Sequence, residues 1–171
     1  MTIRAGGDAP DFWRLVDMAA RFEATGSIRA LDYAAHLSFG LYEAADPRDL
    51  AAAAEMLADE PPLTLRFSRI GWFDVGPLIL WLAPDPDERL IDIHRRIHER
   101  LGTERSAAYY RPGAWIPHCT LASQVEPAQR DAALAFAQAP IVPVDLTLDR
   151  IEVVEFPPVR VHSSAPLKDR R

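Results

Sequence analysis

Two histidines stand in apolar surroundings, each with a hydroxyl residue two places on: Ala35-His36-Leu37-Ser38-Phe39 and Pro117-His118-Cys119-Thr120-Leu121. Side chains alternate across an extended strand. His36 and Ser38 then share one face, as do His118 and Thr120, while Leu37, Phe39, Cys119 and Leu121 point the other way into a core. An imidazole titrates at about 6.5, so at neutral pH one member of a pair can accept a proton while the other donates. A serine or threonine hydroxyl can donate to a nonbridging phosphate oxygen and hold the phosphorus between the rings. Four such side chains suit phosphodiester chemistry by His36 and His118 as acid and base, with no cofactor and no metal required.

The elements that would position them read as two copies of one unit. Arg14-Leu15-Val16-Asp17-Met18-Ala19 matches Arg89-Leu90-Ile91-Asp92-Ile93-His94 in character at an offset of 75 (89 minus 14). The histidines follow at an offset of 82 (118 minus 36). Asp46-Pro47 and Glu126-Pro127 each open an alanine-rich segment, as helix starts favour. Arg69-Ile70 and Arg150-Ile151 then recur at an offset of 81 (150 minus 69).

The predicted order is helix 10–24, strand 33–42, helix 47–58, strands 62–73 and 77–83. It repeats as helix 86–101, strand 117–125, helix 127–138, strands 143–155 and 158–163. The expected fold is α+β: one bilobal domain over 1–171 with halves 10–83 and 86–163. Two antiparallel sheets would face a central cleft, with helices outside.

Bulk properties narrow the partners. The chain has 171 residues, 49% of them hydrophobic, enough for one sizeable core. A net charge of -6 argues against binding extended duplex nucleic acid through a basic surface. Cys119 is the sole cysteine, so no internal disulfide forms. No apolar run resembles a secretion signal or approaches the ~20 residues needed to span a bilayer, so the expectation is a cytoplasmic protein without membrane contact.

On its paired motifs the sequence resembles the 2H phosphoesterase superfamily, which includes 2′-5′ RNA ligase-like proteins and cyclic phosphodiesterases. The resemblance covers nearly the whole chain. It implies metal-independent cleavage, or reversible formation, of a 2′,3′-cyclic or 2′-5′ phosphodiester in a small nucleotide or RNA end, with Ser38 and Thr120 on the phosphate. Many relatives carry an arginine two residues before the second histidine, where Ile116 stands; Arg111 or Arg105 would have to supply that charge. The family pattern also calls for an edge strand before the first helix, for which residues 1–8 offer a short one.

Other residues have competing readings. Tyr109, Tyr110, Arg111 and Trp115 suit stacking and phosphate pairing, or only pin a long loop; Tyr110, Arg111 and Trp115 are taken as substrate contacts. His94 and His98 have metal-sharing spacing, but Arg95 occupies the place of a zinc protease glutamate; they read as a solvated helix face. His162 reads as either a cleft or a solvent residue, and Trp72 and Phe73 as packing. The contrasting functions are a noncatalytic nucleotide- or RNA-binding module that kept the cleft, and a structural protein with core histidines.

Overall fold

The computed structural model describes residues 1–43 and 45–168. The strands are β1 (Thr2–Ala5), β2 (His36–Ser38), β3 (Leu63–Asp74), β4 (Leu78–Pro84), β5 (Cys119–Val125), β6 (Val144–Glu155) and β7 (Arg160–Pro166). The helices are α1 (Pro10–Ala19), α2 (Ser27–Ala30), α3 (Pro47–Glu55), α4 (Glu88–Leu101) and α5 (Arg130–Gln138). The α+β class follows from sequence periodicity: residues of β3 from Leu63 to Phe67 alternate buried and exposed, while α4 carries one buried stripe. Helix α3 starts where Asp46 caps it, its carboxylate accepting the Arg48 amide at 2.9 Å, with Pro47 in the first turn.

Among the described residues the strands form one antiparallel sheet in the order β2-β1-β6-β3-β4-β5, with β7 pairing β6. The two separate sheets expected from the sequence are instead two three-stranded blocks, β2-β1-β6 and β3-β4-β5. They are joined where Leu65 of β3 pairs with Leu146 of β6. The join exists because β3 and β6 each lie in the block opposite the histidine strand they follow: β3 follows β2 but sits with β4 and β5, and β6 follows β5 but sits with β1 and β2. Strand β4 takes in the second block the central place that β1 takes in the first. Ile3 pairs with Leu37 beside His36, and Leu82 pairs with Cys119 beside His118.

One face of the sheet is covered by helices. Ile3, Leu37, Leu65, Leu80, Leu82, Cys119, Leu121, Leu146 and Leu148 are buried there with Phe12, Ile93 and Ile97 in a single core. The sheet curls until its outer strands β2 and β5 come within 8 Å, Cα to Cα. Main-chain bonds tie down the flanking segments: Glu126 N–H, just after β5, donates to the Phe22 carbonyl, and Ala107 N–H to the Leu41 carbonyl just after β2. The curl carries the two histidine segments toward each other on the face that the helices leave open.

Candidate active site

His36 opens β2, and His118 immediately precedes β5. Each ring is anchored in the same way. Nδ1 of His36 donates to the carbonyl of Ala34 at 2.9 Å, and Nδ1 of His118 donates to the carbonyl of Ile116 at 2.7 Å. A carbonyl only accepts, so the Nδ1 proton is fixed by its partner and Nε2 is the nitrogen left to gain or lose a proton. Alternation places Leu37 and Cys119 in the core and leaves His36, Ser38, His118 and Thr120 half-buried on the opposite face.

The first imidazole senses the second. Burial lowers the pKa of His36 below its ordinary value and the charge of His118 lowers it further, while the bond to Ala34 works in the opposite sense. Burial likewise lowers His118 against its bond to Ile116. Both rings therefore favour the neutral form more than a free imidazole does.

Their surroundings differ. The ring of Tyr33 meets His36 edge-on at 4.9 Å. The Tyr33 hydroxyl donates to Glu152 Oε2 at 2.6 Å and lies 3.0 Å from Thr2 Oγ1. Glu152 is buried and also receives Ser164 Oγ at 2.7 Å and pairs with Arg4 Nε at 2.9 Å. Burial alone would raise its pKa; these three partners hold it below the usual carboxylate value. In the second block the corresponding cross-strand pair is Trp81 with Gly71, where the first has Thr2 with Glu152. There the rings of Phe73 and Trp81 lie 5.0 and 5.8 Å from His118. His36 thus neighbours a polar network and His118 an apolar one. Phe73, read from the sequence as packing, touches the second histidine directly.

Two depressions open beside these residues. One of about 480 Å³ is lined by His118, Thr120, Phe73, Tyr109, Trp115 and Ile116, among others. The other, about 220 Å³, includes Ser38, Thr2 and Phe156. Tyr109 and Tyr110 line both and so form the boundary between them. His36 lines neither.

The loop 102–117 is held by contacts that the sequence reading did not foresee. Trp115 lies flat on His94, and its Nε1 donates to the Ser38 carbonyl at 3.0 Å. His94 Nε2 donates to the carbonyl of Tyr110 at 2.7 Å, and His98 Nε2 to that of Phe39 at 3.1 Å. His94 is 2% exposed and His98 0%, so the expected solvated helix face is corrected: both rings are buried struts. They complete the apolar stripe of Leu90, Ile93, Ile97 and Leu101, a helical spacing that would have identified them as inward-facing. Among the described residues no group of three or more His, Cys, Asp or Glu side chains is placed to hold a metal ion.

Arg111 donates from Nε and Nη2 to the carbonyls of Ser106 and Glu104, closing its own loop. Arg105 pairs with Asp49 at 3.5 Å. Neither candidate for a phosphate-binding charge lines the depressions. His162 donates to Glu155 at 3.1 Å on the β6–β7 hairpin and also lines neither. Cys119 is wholly buried, which pushes its thiol pKa up and leaves it a core residue. Among the described residues no helix is long and apolar enough to cross a membrane.

Comparison with known proteins agrees with the fold. No curated protein matches the chain by sequence. The crystal structure of TT0787 of Thermus thermophilus superposes with a TM-score of 0.59 at 19% identity, covering 99% of both chains. A crystal structure described as a phosphoesterase superposes with a TM-score of 0.56 at 16% identity, covering 98% of this chain and 94% of the other. The family description of the 2′-5′ RNA ligase superfamily matches residues 12–157. The chain belongs to that superfamily, the two-histidine phosphoesterases.

Proposed function

We propose that the protein is a metal-independent phosphodiesterase acting on a 2′,3′-cyclic or 2′-5′ phosphodiester of a small nucleotide or RNA end. The observation that carries this reading is the matched anchoring of His36 and His118: in both, Nδ1 is tied to the carbonyl two residues earlier, leaving Nε2 for proton transfer.

In hydrolysis of a 2′,3′-cyclic phosphate, Nε2 of the neutral imidazole takes a proton from water as its oxygen bonds to phosphorus. The bond from phosphorus to one ribose oxygen breaks, and the protonated partner gives its Nε2 proton to that oxygen. The product is a phosphomonoester, and the two rings have exchanged protonation states. Ser38 and Thr120 donate to the nonbridging oxygens. Tyr110 and Trp115 flank the substrate, with Trp115 held by its bond to Ser38. Arg111 acts indirectly by closing the loop that carries them.

The test is turnover of a panel of 2′,3′-cyclic and 2′-5′-linked nucleotides in the presence of chelator. Product formation from at least one is expected. Saturable binding without turnover across the panel would instead make the protein a noncatalytic nucleotide-binding module.

A further inference from the structure

The two depressions share an unusual feature for a site that would meet phosphate. Neither is lined by a lysine or an arginine among the described residues. Two nearby guanidinium groups are engaged elsewhere, and a third, Arg69, lines a separate depression beyond Pro117. Arg111 is committed to the Ser106 and Glu104 carbonyls. Arg4, which faces His36 across the β1–β2 pair, is neutralised by the buried carboxylate of Glu152.

What remains in the larger depression is apolar. Phe73, Val75, Ile79, Tyr109, Trp115 and Ile116 surround the approach to His118 and Thr120. Several of these are open to solvent: Val75 is 71% exposed, Tyr109 63% and Ile116 48%. They form an accessible apolar wall beside the reacting groups.

A single negative charge at phosphorus is met by the imidazolium and the Ser38 and Thr120 hydroxyls. A second phosphate on the same substrate would leave water for this wall with no lysine or arginine among its described lining residues to receive it, and desolvating an unpaired anion is strongly unfavourable. An oligonucleotide would bring one such charge per added residue, against a protein of net charge -6.

We infer that the substrate is a monoanionic phosphodiester of mononucleoside size, with an uncharged, apolar flank lodged against the wall beside His118, and that the site discriminates against a second phosphate. This rests on the phosphodiesterase reading and narrows it, because it excludes long or 5′-phosphorylated RNA ends as preferred substrates. The 480 Å³ depression accommodates a base-sized group.

The experiment compares 2′,3′-cyclic adenosine monophosphate with its 5′-phosphorylated form on the intact protein. Affinity is followed by tryptophan fluorescence and turnover by product formation. The singly charged ligand is expected to bind about tenfold or more tightly. Its affinity should change less than about twofold between about 50 and about 300 mM salt. Ile116→Arg, a change at a half-exposed rim position, should strengthen binding of the 5′-phosphorylated ligand more than of the other. Equal or tighter binding of the 5′-phosphorylated form by the unaltered protein, or a steep salt dependence for both ligands, would overturn the inference. Discrimination in binding without product from either ligand would leave the charge selectivity standing and remove the phosphodiesterase reading beneath it.

Discussion

Trp115 lies parallel to His94, the ring centroids 3.9 Å apart and the planes 6° from coplanar. The contact spans loop and helix, and it places the indole so that its N–H reaches the Ser38 carbonyl. Helix α4 thereby supports both the wall of the larger depression and the strand that bears His36. The same imidazole donates from Nε2 to the Tyr110 carbonyl.

Burial takes the pKa of His94 down to about 4 from its ordinary value. Because the folded pKa lies below the unfolded one, the unfolded state binds the proton first as acid is added. The contribution is whole above about pH 6.5 and is lost progressively toward pH 4. Urea denaturation at pH 7 and near pH 4.5 is expected to show a loss on the order of 2 kcal/mol from this residue. His94→Phe should flatten the difference, and an unchanged pH dependence in that variant would remove His94 as its source.

The same logic sets the pH dependence of turnover. The pKa values of His36 and His118 are both lowered, chiefly by burial, and the charge of His118 further lowers that of His36. A reaction needing one ring protonated and one neutral follows a bell between the two apparent values of the pair. The kcat/KM profile is expected to peak on the acid side of an ordinary imidazole, below about pH 6.5. An optimum well into the alkaline range would contradict the assignment.

Gly71 admits the indole of Trp81. A Cβ at this position would overlap the ring atoms of Trp81, and that ring packs with Phe73 around His118. Gly71→Ala is therefore expected to destabilise the protein by about 1–3 kcal/mol, as overpacking does, and to lower kcat/KM. Thermal denaturation and steady-state rates measure the two effects. A variant with wild-type rates would show that the seat of Trp81 does not matter to His118.

Tyr33→Phe removes the hydroxyl that donates to Glu152 at 2.6 Å. The buried carboxylate keeps Ser164 and Arg4 but loses its shortest partner. The expected cost is about 1–3 kcal/mol in denaturant titration, typical of a charge-assisted bond to a buried group. Stability equal to wild type would mean that water or Thr2 replaces the phenol.

Much of this arrangement was legible in the residues. His36, Ser38, His118 and Thr120 followed from strand alternation within a repeat, and Leu37 and Cys119 lie on the core side as the same rule requires. Most of the predicted elements stand within a few residues of their places, although the strand expected over 33–42 is only His36–Ser38. Strand β1 was foreseen only as a short possibility, because four residues carry too little periodicity to identify a strand.

The exchange of β3 and β6 between blocks could not be read, since a repeat specifies similar units and not which unit each strand pairs with. Glu152 was invisible for a related reason. Its counterpart in the first half is Gly71, so the repeat conceals the residue that makes the halves different. Arg111 suits phosphate pairing by its chemistry and by its place near the second histidine; the sequence does not record that its guanidinium turns back to carbonyls of its own loop.

The central claim is that His36 and His118 act as one acid–base unit. It is tested most directly by single-turnover hydrolysis of a 2′,3′-cyclic nucleotide by wild type, His36→Ala, His118→Ala and the double variant, with folding checked by circular dichroism. Each single change is expected to reduce the rate by about 10²–10⁴-fold. The double variant should be little worse than either alone, because groups acting as a unit are strongly non-additive. A folded single variant keeping more than about a tenth of wild-type activity, or losses that simply multiply in the double variant, would contradict the account.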